Sequence, residues 1–262
     1  MARQTRAKRD LAKPAVIMVH GAFCGGWAFD DFRRPFEAAG HTVLTPDLAG
    51  KGAGSRGTAS MADFAANIAE LVRAQDQAPI LIGHSLGGLV AQMAAAKTAV
   101  RALVLLAPSA PWGVSGGSIE EAVSAVSLFA LGPFWLQAVE PDYTIAGAYS
   151  LNRLDKAARK ATFARMTPES GRALWETLNW WMDPFMTTSV SAERIAAPVL
   201  GVAGGKDLVH PPATVVRTAE RLGGELKVFD EMSHWLVSEP GWQDVAQTCL
   251  TWIQRQKGPT AA

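Results

Sequence analysis

The sequence has few cysteines, almost no net charge and no long apolar run, and each absence argues against a class of protein. Two cysteines in 262 residues, Cys24 and Cys249, do not suggest a disulfide framework, so we expect a reducing, cytoplasmic environment. A net charge of +1 provides no basic surface for nucleic acid. No run approaches the roughly 18 apolar residues of a membrane span, so we expect no membrane partner.

Motifs for common cofactors are also missing. The five histidines lack a metal-ligand spacing such as H-E-x-x-H, and the cysteines form no C-x-x-C pair. Neither G-x-G-x-x-G nor G-K-[ST] follows the first apolar run, and no helix directly follows the glycine cluster at Gly50, Gly52 and Gly54. We therefore expect no metal, no nucleotide and no other cofactor.

Short apolar runs alternate with helical patterns over most of the chain. Buried strands are expected at residues 15–19, 42–45, 80–82, 102–106, 198–203 and 225–229. Helices are expected between them at residues 29–39, 60–75, 89–96, 211–222 and 241–256. This alternation predicts an α/β fold with a doubly wound, mainly parallel sheet of about six strands flanked by helices.

The strand pattern is interrupted between residues 108 and 190, where helical patterns occur at 118–131, 155–166 and 168–182. That block holds five of the nine tryptophans and both tyrosines. We expect a helical cap at 111–190, inserted after the fourth strand into a core formed by 14–110 and 191–262. Its aromatic content favours an apolar substrate pocket, although the same side chains also suit packing of the cap on the core.

The N-terminal residues 1–13 are basic. No apolar segment long enough for a signal peptide follows them, because Pro14 interrupts and the next apolar run is too short. We expect residues 1–13 to form a disordered tail.

The third strand runs directly into Gly83-His84-Ser85-Leu86-Gly87, a G-x-S-x-G pentapeptide followed by helix-forming residues. This order of strand, glycine-flanked serine and helix is typical of a nucleophile elbow, in which the serine occupies a strained turn. A serine hydroxyl reacts poorly without a general base and oxyanion donors. Ser85 therefore predicts further site residues in the loops after other strands.

His234 and Asp207 are the candidate partners of Ser85. His234 follows the last strand and is expected to act as the base, and Asp207 follows the preceding strand and would orient the imidazole. The order Ser, Asp, His is the one expected for an elbow nucleophile. Asp230 and Glu231 are nearer to His234 in sequence, and we interpret both as solvated.

The oxyanion hole requires two backbone N–H groups. We expect one from Leu86, directly after the nucleophile, and one from the glycine-rich loop after the first strand, with Ala22 as the first choice and Phe23 as the second. His210 is interpreted either as a residue of the pocket entrance or as a structural residue, and Cys24 as a packed bystander. The candidates for the substrate pocket are Phe23, His84, Trp112 and Trp235.

Together these features resemble the α/β-hydrolase superfamily over about residues 15–256. The motifs that carry the resemblance are Val19-His20-Gly21, Asp47-Leu48-x-Gly50-x-Gly52-x-x-Ser55, Gly83-His84-Ser85-Leu86-Gly87-Gly88, Gly205-Lys206-Asp207 and Ser233-His234. The segment from His20 to Trp27 looks like the branch of plant methyl-ester esterases and hydroxynitrile lyases. The resemblance implies that Ala22 and Leu86 donate to the oxyanion. The cap does not match that branch, so its substrate preferences are not carried over.

The first functional hypothesis is a serine hydrolase that cleaves carboxylic esters of small to medium apolar substrates through an acyl-enzyme on Ser85. A second keeps the same triad but uses it for lactone or C–C bond hydrolysis, perhydrolysis or hydroxynitrile lysis, because the pocket decides between these reactions. A third is a ligand-binding receptor on a hydrolase scaffold. The sequence does not indicate an oligomeric state.

Overall fold

The computed structural model describes residues 13–50, 56–114 and 132–256. In chain order its strands are β1 (Val16–Val19), β2 (Val43–Leu44), β3 (Ile80–His84), β4 (Ala102–Leu106), β5 (Ala138–Val139), β6 (Glu169–Ser170), β7 (Val199–Gly204) and β8 (Glu225–Phe229). Six of them form one sheet in the order β2-β1-β3-β4-β7-β8, and every neighbouring pair in it is parallel. The predicted α/β fold with a parallel sheet of six strands is confirmed.

The α-helices of the described residues lie between the strands and after the last one. They are α1 (Arg34–Ala38), α2 (Met61–Arg73), α3 (Leu86–Ala95), α4 (Tyr143–Ala148), α5 (Lys156–Phe163), α6 (Gly171–Leu178), α7 (Pro212–Arg221) and α8 (Trp242–Arg255). Short 3-10 helices occur at Gly26–Phe29, Phe134–Leu136, Trp180–Met182 and Ala192–Arg194. No helix in the described part of the chain is both long and apolar enough to cross a membrane.

The core lies on both faces of the sheet. Successive strand residues point to opposite faces, so Val16 packs in the cluster that contains Phe36 of α1 and Trp252 of α8, and Ile17 packs with Phe64 of α2. The central strands β1, β3, β4 and β7 are buried along their whole length. Burial on both faces explains why these strands are continuous apolar runs in the sequence.

The described residues between β4 and β7, 107–114 and 132–198, are called the insertion below. Its short strands β5 and β6 pair antiparallel in a separate two-stranded sheet, which the sequence patterns did not predict. Helix α4 was not predicted either. The helix expected at 168–182 begins later, because Ser170 lies in β6 and its hydroxyl accepts the N–H of Ala173 as the cap of α6.

The other predicted elements differ less from the structure, or they lie outside the described residues. The helix expected at 29–39 is replaced by the 3-10 helix Gly26–Phe29 followed by the short α1. Helix α2 begins after Ser60, as expected, with a capping box between Ser60 and Asp63. The predicted helix at 118–131, nearly all of the predicted tail, and residues 51–55 of the glycine cluster lie outside the described part.

Candidate active site

The chain makes a sharp turn at Ser85 between β3 and α3. Ser85 has φ 54° and ψ −126°, an unusual conformation for a residue other than glycine, and one that the surroundings must hold. A Cβ atom at Gly87 would lie 2.3 Å from the carbonyl oxygens of Val19 and His20, and one at Gly83 would lie 2.4 Å from the carbonyl oxygen of Gly87. Because these neighbours are backbone atoms that cannot move aside, the turn needs glycine at both positions.

The structure brings the side chains of Ser85, His234 and Asp207 together from the ends of three strands. The Oγ of Ser85 lies 2.9 Å from Nε2 of His234, and Nδ1 of His234 lies 2.9 Å from Oδ2 of Asp207. All three residues are buried. A His234 tautomer with its proton on Nδ1 donates to the carboxylate and leaves Nε2 free to accept the hydroxyl proton of Ser85.

The carboxylate of Asp207 is held from both sides. Its Oδ1 accepts the backbone N–H groups of Val209 at 2.7 Å and His210 at 2.9 Å, while Oδ2 faces His234. Burial raises the pKa of Asp207, but the charge and hydrogen bonds of the neighbouring groups outweigh it and hold the pKa below its usual value. Asp207 is therefore ionised and suited to stabilise a protonated His234.

The backbone N–H groups of Ala22 and Leu86 lie beside Ser85 and have no acceptor among the described residues. Leu86 is the first residue of α3, where the helix dipole favours a negative charge. The loop of Ala22 abuts Ser85, since a Cβ atom at Gly21 would lie 2.9 Å from the Cβ of Ser85. The N–H of Phe23, the second choice for the oxyanion hole, instead donates to Oε2 of Glu169 at 3.0 Å.

A family model described as alpha/beta hydrolase family matches residues 16–248 of this chain. The chain belongs to the alpha/beta hydrolase family. The predicted superfamily is thus confirmed.

Curated relatives match this hydrolase over part of their length. It is 36% identical to Salicylic acid-binding protein 2 of Nicotiana tabacum over 109 residues, which are 39% of this chain and 42% of that protein. It is 34% identical to the Carbendazim hydrolyzing esterase of Nocardioides sp. over 96 residues, 34% of this chain and 40% of that protein. The matches therefore span less than half of either relative.

Solved structures match the hydrolase over nearly its full length. Tomato Methylketone Synthase I has a TM-score of 0.74 at 17% identity, covering 94% of this chain and 100% of that one. A methylesterase from Arabidopsis has a TM-score of 0.71 at 17% identity, covering 92% of this chain and 99% of that one. At this level of identity, the similarity shows a common fold.

The loop that carries His234 in this hydrolase is held by Glu239, which the sequence analysis did not single out. Both carboxylate oxygens of the buried Glu239 accept from Ser233, one from its N–H and one from its hydroxyl, each at 2.5 Å. Burial raises the pKa of Glu239 although the bonds from Ser233 oppose the shift. The sequence signal for this role is a single acidic residue between the apolar run 235–237 and Pro240.

His84 packs against His234. Its Nε2–H donates to the carbonyl oxygen of His234 at 2.9 Å, and its ring lies edge-on to Trp235 with the ring centres 5.5 Å apart. Burial, reinforced by the neighbouring His234, lowers the pKa of His84 to about 3. The ring is therefore neutral at physiological pH.

A neutral, buried His84 makes the stability of this hydrolase sensitive to acid. The unfolded chain binds a proton at this residue near pH 6.5, whereas the folded chain binds it only near pH 3, so the stabilisation is complete above pH 6.5 and lost as the pH falls toward 3. His84→Gln retains a donor for the carbonyl of His234 but does not titrate. We expect it to reduce the loss of unfolding free energy between about pH 7 and 4.5 by about 2 kcal/mol.

Denaturant titrations of wild type and His84→Gln at both pH values measure this difference. Equal pH dependence in the two proteins would contradict the assignment of His84 as the acid-sensitive group.

His210 and Ser109 lie on another side of His234. Nε2 of His210 lies 3.0 Å from Oγ of Ser109, and the rings of His210 and His234 are 5.2 Å apart between centres. The N–H of Ser109 donates to the carbonyl oxygen of Ser85 at 2.9 Å. Both side chains are buried, so His210 packs against the triad.

The remaining predicted residues occupy varied positions. Trp235 is buried against Trp27 and His84, and half-buried Trp112 donates its Nε1–H to the carbonyl oxygen of Asp183 at 3.1 Å. Phe23 is half-buried in the loop of Ala22. Contact of these side chains with a substrate stays a prediction.

Glu231 and the two cysteines, Cys24 and Cys249, occupy different environments. Glu231 is exposed and forms an ion pair with Lys206. Cys24 is buried, and burial raises the pKa of the Cys249 thiol to about 12. His41 is only 9% exposed, and its Nδ1 is hydrogen-bonded to the carbonyl oxygen of Pro14.

Proposed function

We propose that this chain is a serine hydrolase that cleaves carboxylic esters of small to medium apolar substrates. The observation that carries the proposal is the continuous hydrogen-bonded series from Ser85 through His234 to the ionised Asp207, placed on a nucleophile elbow. Similarity to the Carbendazim hydrolyzing esterase and to the Arabidopsis methylesterase supports ester cleavage.

The proposed reaction has two halves. Nε2 of His234 takes the hydroxyl proton as Oγ of Ser85 attacks the ester carbonyl, and the N–H groups of Ala22 and Leu86 hold the oxyanion. His234 then returns the proton to the leaving alcohol, and an acyl-enzyme remains on Ser85. A water molecule, deprotonated by His234, attacks the acyl group, releases the acid and restores the serine.

We further propose that residues 111–190 act as a cap over this site and provide an apolar pocket. Two contacts support the position of the cap. The N–H of Thr167 donates to the carbonyl oxygen of Phe23 at 2.9 Å, and the carboxylate of Glu169 accepts the N–H of Phe23. An aromatic pair supports the apolar character of the pocket, because Trp112 packs edge-on against Trp180. Trp112 lies three residues after Ser109 in the chain.

Turnover of p-nitrophenyl esters with short to medium acyl chains tests the proposed function. We expect the wild type to hydrolyse at least one member of the series, and a fluorophosphonate probe to attach to the peptide that contains Ser85. His234→Ala should suppress both signals, because the serine loses its base. Absence of turnover for every chain length, together with absence of labelling, would refute the proposal.

The other reactions expected from the sequence use the same three side chains. Lactone or C–C bond hydrolysis, perhydrolysis, hydroxynitrile lysis and a receptor role stay predictions, as does the cytoplasmic location. Labelling of Ser85 without ester turnover would favour lactone hydrolysis, C–C bond hydrolysis, perhydrolysis or hydroxynitrile lysis.

A further inference from the structure

The loop that carries Ala22 is held by a buried carboxylate of the insertion. Glu169 in β6 is 0% exposed, and its Oε2 accepts the N–H of Phe23 at 3.0 Å. The N–H of Ser170 donates to Oε1 of the same carboxylate at 2.8 Å, which helps to fix its orientation. The carbonyl oxygen of Phe23 accepts the N–H of Thr167. Both backbone polar groups of Phe23 are therefore bound by one segment of the insertion.

Phe23 has a conformation that needs such support. It has φ 61°, in the left-handed region that favours glycine. Phe23 is the third residue of a tight turn in which the N–H of Cys24 donates to the carbonyl oxygen of Gly21 at 3.3 Å. That carbonyl belongs to the same peptide plane as the N–H of Ala22. Relaxation of Phe23 would therefore open the turn and reorient the N–H of Ala22.

We propose that Glu169 is a positioning residue that keeps the N–H of Ala22 directed at the oxyanion by holding Phe23 in its left-handed conformation. Through this contact the insertion becomes a structural part of the oxyanion hole. The inference rests on the proposed function, because it assumes that Ala22 stabilises a developing negative charge on the substrate.

Glu176 offers a matched control in the same insertion. Its Oε2 accepts the N–H of Met61 at 2.8 Å, and the residue is 7% exposed. Like Glu169, it joins the insertion to the core through a buried carboxylate and a backbone amide. Its partner begins α2, however, and not the loop of Ala22. Loss of either carboxylate is expected to lower stability, but only Glu169 should affect the oxyanion hole.

The experiment measures kcat, KM and the melting temperature of wild type, Glu169→Ala, Glu169→Gln and Glu176→Ala with a p-nitrophenyl ester. Glu169→Ala is expected to lower kcat about 10- to 100-fold, with KM within about twofold, because the lost interaction acts in the transition state. Glu169→Gln keeps one oxygen acceptor, which can serve either Phe23 or Ser170, so its kcat should fall between those of Glu169→Ala and wild type. Glu176→Ala should melt earlier but keep its kcat.

The Phe23→Gly substitution provides the second test. Glycine adopts positive φ without strain, so in the Phe23→Gly background the further loss on Glu169→Ala should shrink to less than about threefold. If Glu169→Ala does not fold, Glu169→Met, of similar size and without an oxygen acceptor, replaces it in both series. An equal loss in the two backgrounds, or an equal loss of kcat in Glu176→Ala, would overturn the proposal.

The labelling rate of Ser85 distinguishes an error in the proposed ester hydrolysis from an error in the role of Glu169. The rate at which a fluorophosphonate labels Ser85 does not require ester turnover, and its phosphoryl oxygen is expected to use the same two N–H groups. Slower labelling of Glu169→Ala than of Glu176→Ala supports the role of Glu169 even if no tested ester is hydrolysed. Equal labelling rates refute that role while leaving Ser85 as a nucleophile.

Discussion

Ser85→Ala is expected to lower kcat/KM for p-nitrophenyl ester hydrolysis by about 10⁴-fold or more. The Oγ of Ser85 is hydrogen-bonded to Nε2 of His234, and Ser85 directly precedes the N-terminus of α3, so the substitution removes the proposed nucleophile. Steady-state kinetics on the most active ester of the series measures the loss. Residual activity should come from oxyanion stabilisation and substrate binding alone.

Ser109→Ala is a close control for that substitution. Ser109 is also buried and also hydrogen-bonded to a histidine, since its Oγ lies 3.0 Å from Nε2 of His210. It does not stand on the elbow, and we expect its replacement to change kcat/KM by less than about tenfold. Full activity in Ser85→Ala, or a comparable loss in Ser109→Ala, would show that the nucleophile is assigned incorrectly.

Asp207→Asn is expected to reduce kcat by about 10⁴-fold with little change in the fold. Oδ1 of Asp207 accepts two backbone N–H groups, so an asparagine would keep its oxygen on that side. Its NH₂ group would then face Nδ1 of His234, which would have to accept the hydrogen bond. The ring proton would move to Nε2, and His234 would be unable to take the proton of Ser85.

Kinetics and a melting curve on Asp207→Asn distinguish this tautomer effect from unfolding, since the melting temperature should change far less than kcat. Asp230→Asn and Glu231→Gln serve as controls, because both residues are exposed and lie nearer to His234 in sequence. We expect both to retain normal turnover. A loss confined to one of these two variants would mean that Asp207 is not the acid of the triad.

Local sequence patterns were sufficient to predict the sheet and the turn at Ser85. Each central strand is a short apolar run because it is buried on both faces, and that requirement acts on every residue of the strand. The turn at Ser85 could also be predicted, because two glycines flank the serine in the sequence. Gly83 is needed by its contact with the carbonyl of Gly87, and Gly87 by its contact with the carbonyl oxygens at the end of β1. The parallel sheet then implied that the loops of Ser85, Asp207 and His234 meet at one edge.

The sequence was less informative about the insertion. Pro168 favoured a helix beginning there, but α6 begins after Ser170. The hydroxyl of Ser170 donates to the carbonyl oxygens of Gly57 and Ala59, and its backbone pairs with β5. The contacts with Gly57 and Ala59 join residues more than a hundred positions apart. Together with the pairing to β5 they outweigh the local helix signal, so no pattern within the segment could have revealed them.

By itself the sequence determined the fold, the family and the three residues proposed for the triad, because strand burial, the elbow and the order of the loops are local or follow from sheet geometry. Only the tertiary structure decided how the site is supported. It revealed Glu239 beneath the loop of His234, the neutral His84 behind His234, and Glu169 on the loop of Ala22. The physical reason is that a buried carboxylate or imidazole takes its protonation and role from partners that only the folded chain brings near.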